Sequence, residues 1–222
     1  MTASRINLRK MILIAMFTAL AVLLVWVINI PIVPGVEFLK YEPKDVIIAI
    51  SAFLLGPIEG IVVSVLSSVI EMFTISTTGP IGMIMNILST VFYILPASMI
   101  YRKKKTFAPA VIGLASGVVI MTAGMLLWNY IITPFYQGVP RAVIASMLLP
   151  VFAPYNLLKG ALNSAVVIMI YKPIATALRK TGFVASAKAA SQEKAKTPWI
   201  ILGGAVFLAA IILIILKMNH VL

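Results

Sequence analysis

Long apolar runs, separated by short polar or proline-glycine breaks, set the rhythm of this 222-residue chain. A run of roughly 20 apolar residues suffices to cross a bilayer as a helix. Residues 11–30 form the first such run. The loop "PIVPGVEFLKYEPKD" follows, and its prolines and glycine forbid helix continuation. Residues 45–56 predict a short second helix ended by Gly56-Pro57, and 58–75 a third. "STTGP" (76–80) is a turn, 81–101 a fourth helix, and "YRKKKT" (101–106) a charged break. Residues 107–133 predict a fifth span ended by Pro134, 135–153 a loop with a short apolar piece, and 154–172 a sixth helix. Residues 173–197 read as a polar linker rich in Ala, Lys and Ser, and 199–216 as a plain seventh helix. The expected architecture is an all-α integral membrane protein. It has a six-helix membrane domain (1–176), a cytoplasmic linker (177–198) and one additional C-terminal transmembrane helix (199–222).

Composition agrees: 62% of residues are hydrophobic, 11% are charged, and the mean hydropathy is +1.10. Soluble domains carry about 25% charged residues. The net charge of +12 raises the question of nucleic acid, but the basic residues have no solvated domain to sit on. Their distribution fits membrane orientation instead. Arg5, Arg9, Lys10, Arg102 to Lys105, Lys172, Arg179, Lys180, Lys188, Lys194 and Lys196 fall on one side of alternating spans. Lys40, Lys44, Arg141 and Lys217 fall on the other. The expectation is a multi-pass cell-membrane protein with a cytoplasmic N-terminus and outward-facing 31–44 and 134–153 loops. The N-terminal segment resembles the charged start of a signal peptide, but its apolar run continues to Ile30 with no small-residue cleavage site. It reads as a retained first span.

Catalytic chemistry has little to work with. There is no cysteine, the only histidine is His220, and no GxxxxGK phosphate loop occurs. No pair of buried carboxylates stands out. Five of the six acids (Glu37, Glu42, Asp45, Glu59, Glu71) lie between residues 37 and 71. Asp45 suits either the positive end of the second helix or a ligand. Glu59 suits a solvated or capping role at a turn, and Glu71 either kind of role.

The polar residues inside apolar helices are more telling, because polar groups in hydrocarbon are costly and mark sites by default. Asn156, Lys159 and Asn163 share one face of the sixth helix. Lys159 needs a partner if buried, or snorkels to the interface if not. Asn129 and Thr133 share a face of the fifth helix, beside Trp128 and Tyr130, which suit an interfacial belt. Asn86, Ser89, Thr90 and Tyr93 mark a face of the fourth. The convergence predicts one pocket toward the outer side for a flat, partly polar molecule. On the first helix, Ala15 and Ala19 have small-xxx-small spacing, suited to close approach of another helix, internal or foreign.

The stretches "VEFLKYEPKDV", "GPIEG", "NYIITPF" and "PYNLLKG" resemble the substrate-binding (S) components of energy-coupling factor vitamin transporters, and among them the riboflavin-specific members. The resemblance covers about residues 8–176. It implies a six-helix S-component fold, capture of riboflavin as transported ligand rather than cofactor, and assembly with a transmembrane coupling subunit and two cytoplasmic ATPases. It also implies flavin contacts from Asn129, Asn156 and Lys159, a lid around Leu39, Lys40 and Tyr41, and docking of the coupling subunit on Ala15 and Ala19. The segment 177–222 departs from the family's pattern. The nearest alternatives are another vitamin on the same fold (pantothenate, a pterin, a thiamine-like base) and, from a different class, a membrane-embedded enzyme.

Overall fold

The computed structural model describes residues 8–31, 33 and 39–180. Glu37, the linker beyond Lys180 and the expected seventh helix lie outside the described residues. Seven α-helices and one two-stranded hairpin make up the rest: α1 (Leu8–Val27), β1 (Ile30–Pro31), β2 (Lys40–Tyr41), α2 (Lys44–Leu54), α3 (Pro57–Thr74), α4 (Gly79–Lys103), α5 (Phe107–Gln137), α6 (Arg141–Met147) and α7 (Ala153–Lys180). In the hairpin Ile30 pairs with Tyr41 and Pro31 with Lys40. The sequence pattern had shown only a turn-rich loop there.

Four single helices, α1, α3, α4 and α5, are long and apolar enough to cross a membrane, as is the stretch from Arg141 to Leu178. α2 is different. Its 11 residues rise only about 16 Å, yet every residue from Lys44 to Phe53 is buried. It packs against α1, α3, α4 and α7. A helix apolar on all sides belongs in the middle of a bundle, and α2 is that middle. It stops at Gly56, whose φ of 131° is open to glycine and strained for other residues. Pro57 then starts α3 at a position where a missing N–H costs nothing.

Around this centre many large apolar side chains point outward. Phe73 and Leu149 are 79% and 76% exposed, as expected of surfaces solvated by lipid chains. α4 and α5 lie closest together because α5 offers glycines. A Cβ at Gly117 would stand 2.2 Å from the Tyr93 carbonyl oxygen, and one at Gly113 2.6 Å from that of Ala97. Since the obstacle is backbone, Gly117→Ala should force the helices apart. Melting of the purified protein should fall by the equivalent of about 1–3 kcal/mol; unchanged melting would refute the close-packing account.

The region 135–153 corrects the expectation of a loop. α5 continues through Pro134 to Gln137 and is capped by Gly138 at a φ of 64°. α6 follows, and a π-helical turn, Leu148–Phe152, leads straight into α7. Proline gives up one helical hydrogen bond, but in lipid no water competes for the rest, so the helix persists. Similarly, α7 passes Pro173 and reaches Lys180.

Two ends of the bundle result. One carries the hairpin and the 75–78 and 138–140 connections. The other carries Gly56, the 104–106 turn and most of the described basic residues. At that basic end Lys10 of α1 ion-pairs with Glu59 of α3, so Glu59 ties two helices together.

Candidate functional site

Toward the hairpin end, the start of α2 gathers the buried charges found among the described residues. Lys44 and Asp45 are both fully buried, and being adjacent on a helix they point about 100° apart. Lys44 turns to α3, where it ion-pairs with Glu71, and its Nζ is also 3.2 Å from Glu42. Asn86 of α4 completes this group by donating Nδ2–H to Glu71 Oε1 at 3.1 Å. Asp45 turns to α4 and α7. Thr90 Oγ1 donates to its Oδ1 at 2.6 Å, Lys159 Nζ lies 3.2 Å from its Oδ2, and Asn163 Nδ2 reaches the same oxygen at 3.4 Å.

Burying so many charges requires pairing, since an isolated ion inside apolar surroundings costs several kcal/mol or more. Here each buried lysine has a carboxylate. The sequence reading of no paired buried carboxylates is corrected: Glu42 and Glu71 meet at one lysine, and Asp45 sits beside it in the chain. The snorkelling alternative for Lys159 is also overturned, because the residue is 4% exposed and its ammonium faces Asp45.

Of the other expected site residues on α5 and α7, one bonds to this centre and the others bond within their own helical stretches. Asn163 shares the Asp45 Oδ2 with Lys159, and its Oδ1 is a buried acceptor with no partner among the described residues. Asn156 is buried one turn before Lys159 on α7 and donates Nδ2–H to the Phe152 carbonyl in the π-helical turn. Asn129 and Thr133 are buried as a pair on α5: Thr133 Oγ1 donates to Asn129 Oδ1 at 2.8 Å, while Asn129 Nδ2 donates to the Met125 carbonyl. No direct bond among the described residues links that pair to Lys159. Trp128, expected as a belt aromatic, packs on the main core and buries an indole N–H with no partner among the described residues.

The hairpin closes over this end. Leu39 is buried with Ile144, Phe152 and Tyr155. Tyr155 OH donates to the Lys40 carbonyl at 2.7 Å, fastening β2 to α7. Burial, with the Asp45 carboxylate adding to it and Lys159 opposing it, pushes the Tyr41 phenol up to about 12. It is therefore a neutral hydroxyl at physiological pH. An open cleft of about 600 Å³, the solvent in its mouth included, lies alongside, lined by Lys40, Glu42, Glu71, Asn86 and Tyr136 among others. Asn129, Asn156, Lys159 and Asn163 are not among its lining residues.

The residues that sequence reasoning underrated are Lys44, Asp45 and Glu71. In the sequence Lys44 reads only as a charge on a loop. The available signal was the crowding of acids into 37–71 in a chain with so few.

Comparison with known proteins places the chain in a family. The family model for the ECF transporter substrate-specific component matches residues 9–171. The chain is 28% identical over 179 residues to the riboflavin transporter RibU of Staphylococcus aureus, covering 78% of this chain and 93% of that protein. It is 26% identical over 180 residues to the riboflavin transporter FmnP of Bacillus subtilis, covering 74% and 91%. A solved structure described as the S component of a bacterial ECF transporter superposes with a TM-score of 0.67 at 26% identity, covering 77% of this chain and 97% of that one. With the model matching well over half of its length, the chain belongs to the family of ECF transporter substrate-specific components, a family of membrane transport subunits and not of enzymes.

Proposed function

We propose that this chain is the riboflavin-binding subunit of an ATP-driven vitamin uptake transporter. It captures the vitamin at the hairpin end and delivers it together with a transmembrane coupling subunit and two ATPases. The observation that carries the reading is the polar face of α7. Lys159 and Asn163 are buried and both face one carboxylate oxygen, yet Asn163 Oδ1 has no partner among the described residues. An ammonium has three donors and a carboxamide two donor hydrogens, so Lys159 and Asn156 have capacity left for the heteroatom edge of a planar ring. Asn129 would add a contact from α5. The riboflavin transporters of S. aureus and B. subtilis, aligned over about nine-tenths of their lengths, support a flavin over other cargo.

Leu39, Lys40 and Tyr41 act as the lid in this reading, fastened by Tyr155. The hairpin end faces outward and the basic end the cytoplasm, where Lys and Arg are favoured. The N-terminus is then cytoplasmic. Loaded protein reorients against the coupling subunit while ATP is hydrolysed elsewhere.

Titrating riboflavin, pantothenate, a pterin and thiamine against the fluorescence of the purified protein tests the cargo. Riboflavin should quench saturably and the other three should not. Saturable binding of one of the others, with riboflavin inert, would replace the assignment.

A further inference from the structure

Asp45 stands where a carboxylate could simply favour the N-terminal end of its own helix. Its oxygens are otherwise engaged. Oδ1 accepts from Thr90 of α4 at 2.6 Å, and Oδ2 faces Lys159 and Asn163 of α7. We infer that Asp45 is a positioning residue for ligand capture, holding the Lys159 ammonium and the Asn163 carboxamide in one orientation from the first turn of α2. The inference rests on reading Lys159 as a ligand-binding group.

Three observations support it. Asp45 is itself held in place: the preceding residue, Lys44, ion-pairs with Glu71 on the other side of the same turn, and α2 is buried from Lys44 to Phe53. The Thr90 bond fixes the rotation of the carboxylate, which leaves Oδ2 for Lys159. Lys159, in contrast, is a point charge on a flexible four-carbon stem, and without an anchor it has no preferred direction. One carboxylate therefore converts a flexible cation into a directed donor and spends only part of its hydrogen-bonding capacity.

The test uses the full chain in detergent, with riboflavin as the probe, in four forms: wild type, Asp45→Asn, Lys159→Met and the double variant. Asp45→Asn should lose at least about tenfold in affinity. In the Lys159→Met background the same change should alter residual affinity by less than about twofold, since a residue acting through another is coupled to it. Without ligand, the double variant should melt above Lys159→Met alone, because that single change strands the Asp45 charge. Wild-type affinity in Asp45→Asn, an equal loss in both backgrounds, or a double variant melting below both singles would each overturn the inference. If Lys159→Met binds riboflavin like wild type, the assignment of Lys159 to the ligand fails instead. The melting comparison then still decides whether Asp45 holds Lys159.

Discussion

Lys159→Ala is expected to weaken riboflavin binding at least tenfold, about 1.4 kcal/mol, and Asn156→Ala should do the same. The two variants fail for separable reasons. Removing the ammonium takes away a charged donor and leaves Asp45 buried without its partner, which by itself destabilises a fold by about 3–5 kcal/mol. Asn156 carries no charge, and its bond to the Phe152 carbonyl is local to its own helix region. Its loss leaves the ion pairs intact. Lys159→Ala should therefore bind weakly and melt early, whereas Asn156→Ala should bind weakly and melt near wild type. Affinity from fluorescence quenching, measured beside a melting curve for each variant, separates the effects. Unchanged affinity in both folded variants would remove α7 from the ligand site.

How much of this was legible in the sequence depends on the physical signal each part left. α1, α3 and α4 wrote themselves as apolar runs of spanning length, and Gly56-Pro57 marked the end of α2 because one residue needs positive φ and the other starts a helix. Pro134 misled, since the rule that proline ends helices is weaker where lipid offers no competing hydrogen bonds. Helix α6 was missed because a seven-residue segment between Pro140 and Pro150 spans barely two helical turns, too few for an apolar repeat to stand out.

At the site, the spacing of Asn156, Lys159 and Asn163 correctly placed three polar side chains on one buried face, because a helix repeats every 3.6 residues. Which acid would meet Lys159 was not legible. Asp45 lies 114 positions away by subtraction of residue numbers, and only the packing of α2 between α4 and α7 brings it there. Lys44 was hidden by the same cause, since a lysine following a proline at a helix start reads as solvent-facing, lysine being rarely fully buried unless paired. Charge balance was the missing clue: two lysines buried in a chain with six acids had to draw on the acids nearest the bundle's centre.

A second result concerns α1, where substitution should separate transport from binding. Ala15 and Ala19 are exposed, on a face shared with Ile12, Met16, Leu20 and Leu23, while Leu13, Phe17 and Ala21 face the core. The internal-packing alternative for the two alanines is thereby removed, but lipid alone would not require small residues. Their small size leaves a shallow track along the helix on which another helix could lie closely, and van der Waals fit of that kind drives helix association in membranes. Ala15→Phe combined with Ala19→Phe fills the track. Riboflavin uptake by the assembled transporter should drop to background. Binding by the isolated chain should change by no more than about twofold, as for other exposed substitutions. The Asp45–Lys159 centre, reached through α2, α4 and α7, touches neither position. Uptake that survives both phenylalanines would mean the track faces only lipid. Loss of binding together with uptake, in protein that still melts normally, would mean that α1 shapes the ligand site rather than the contact with the coupling subunit.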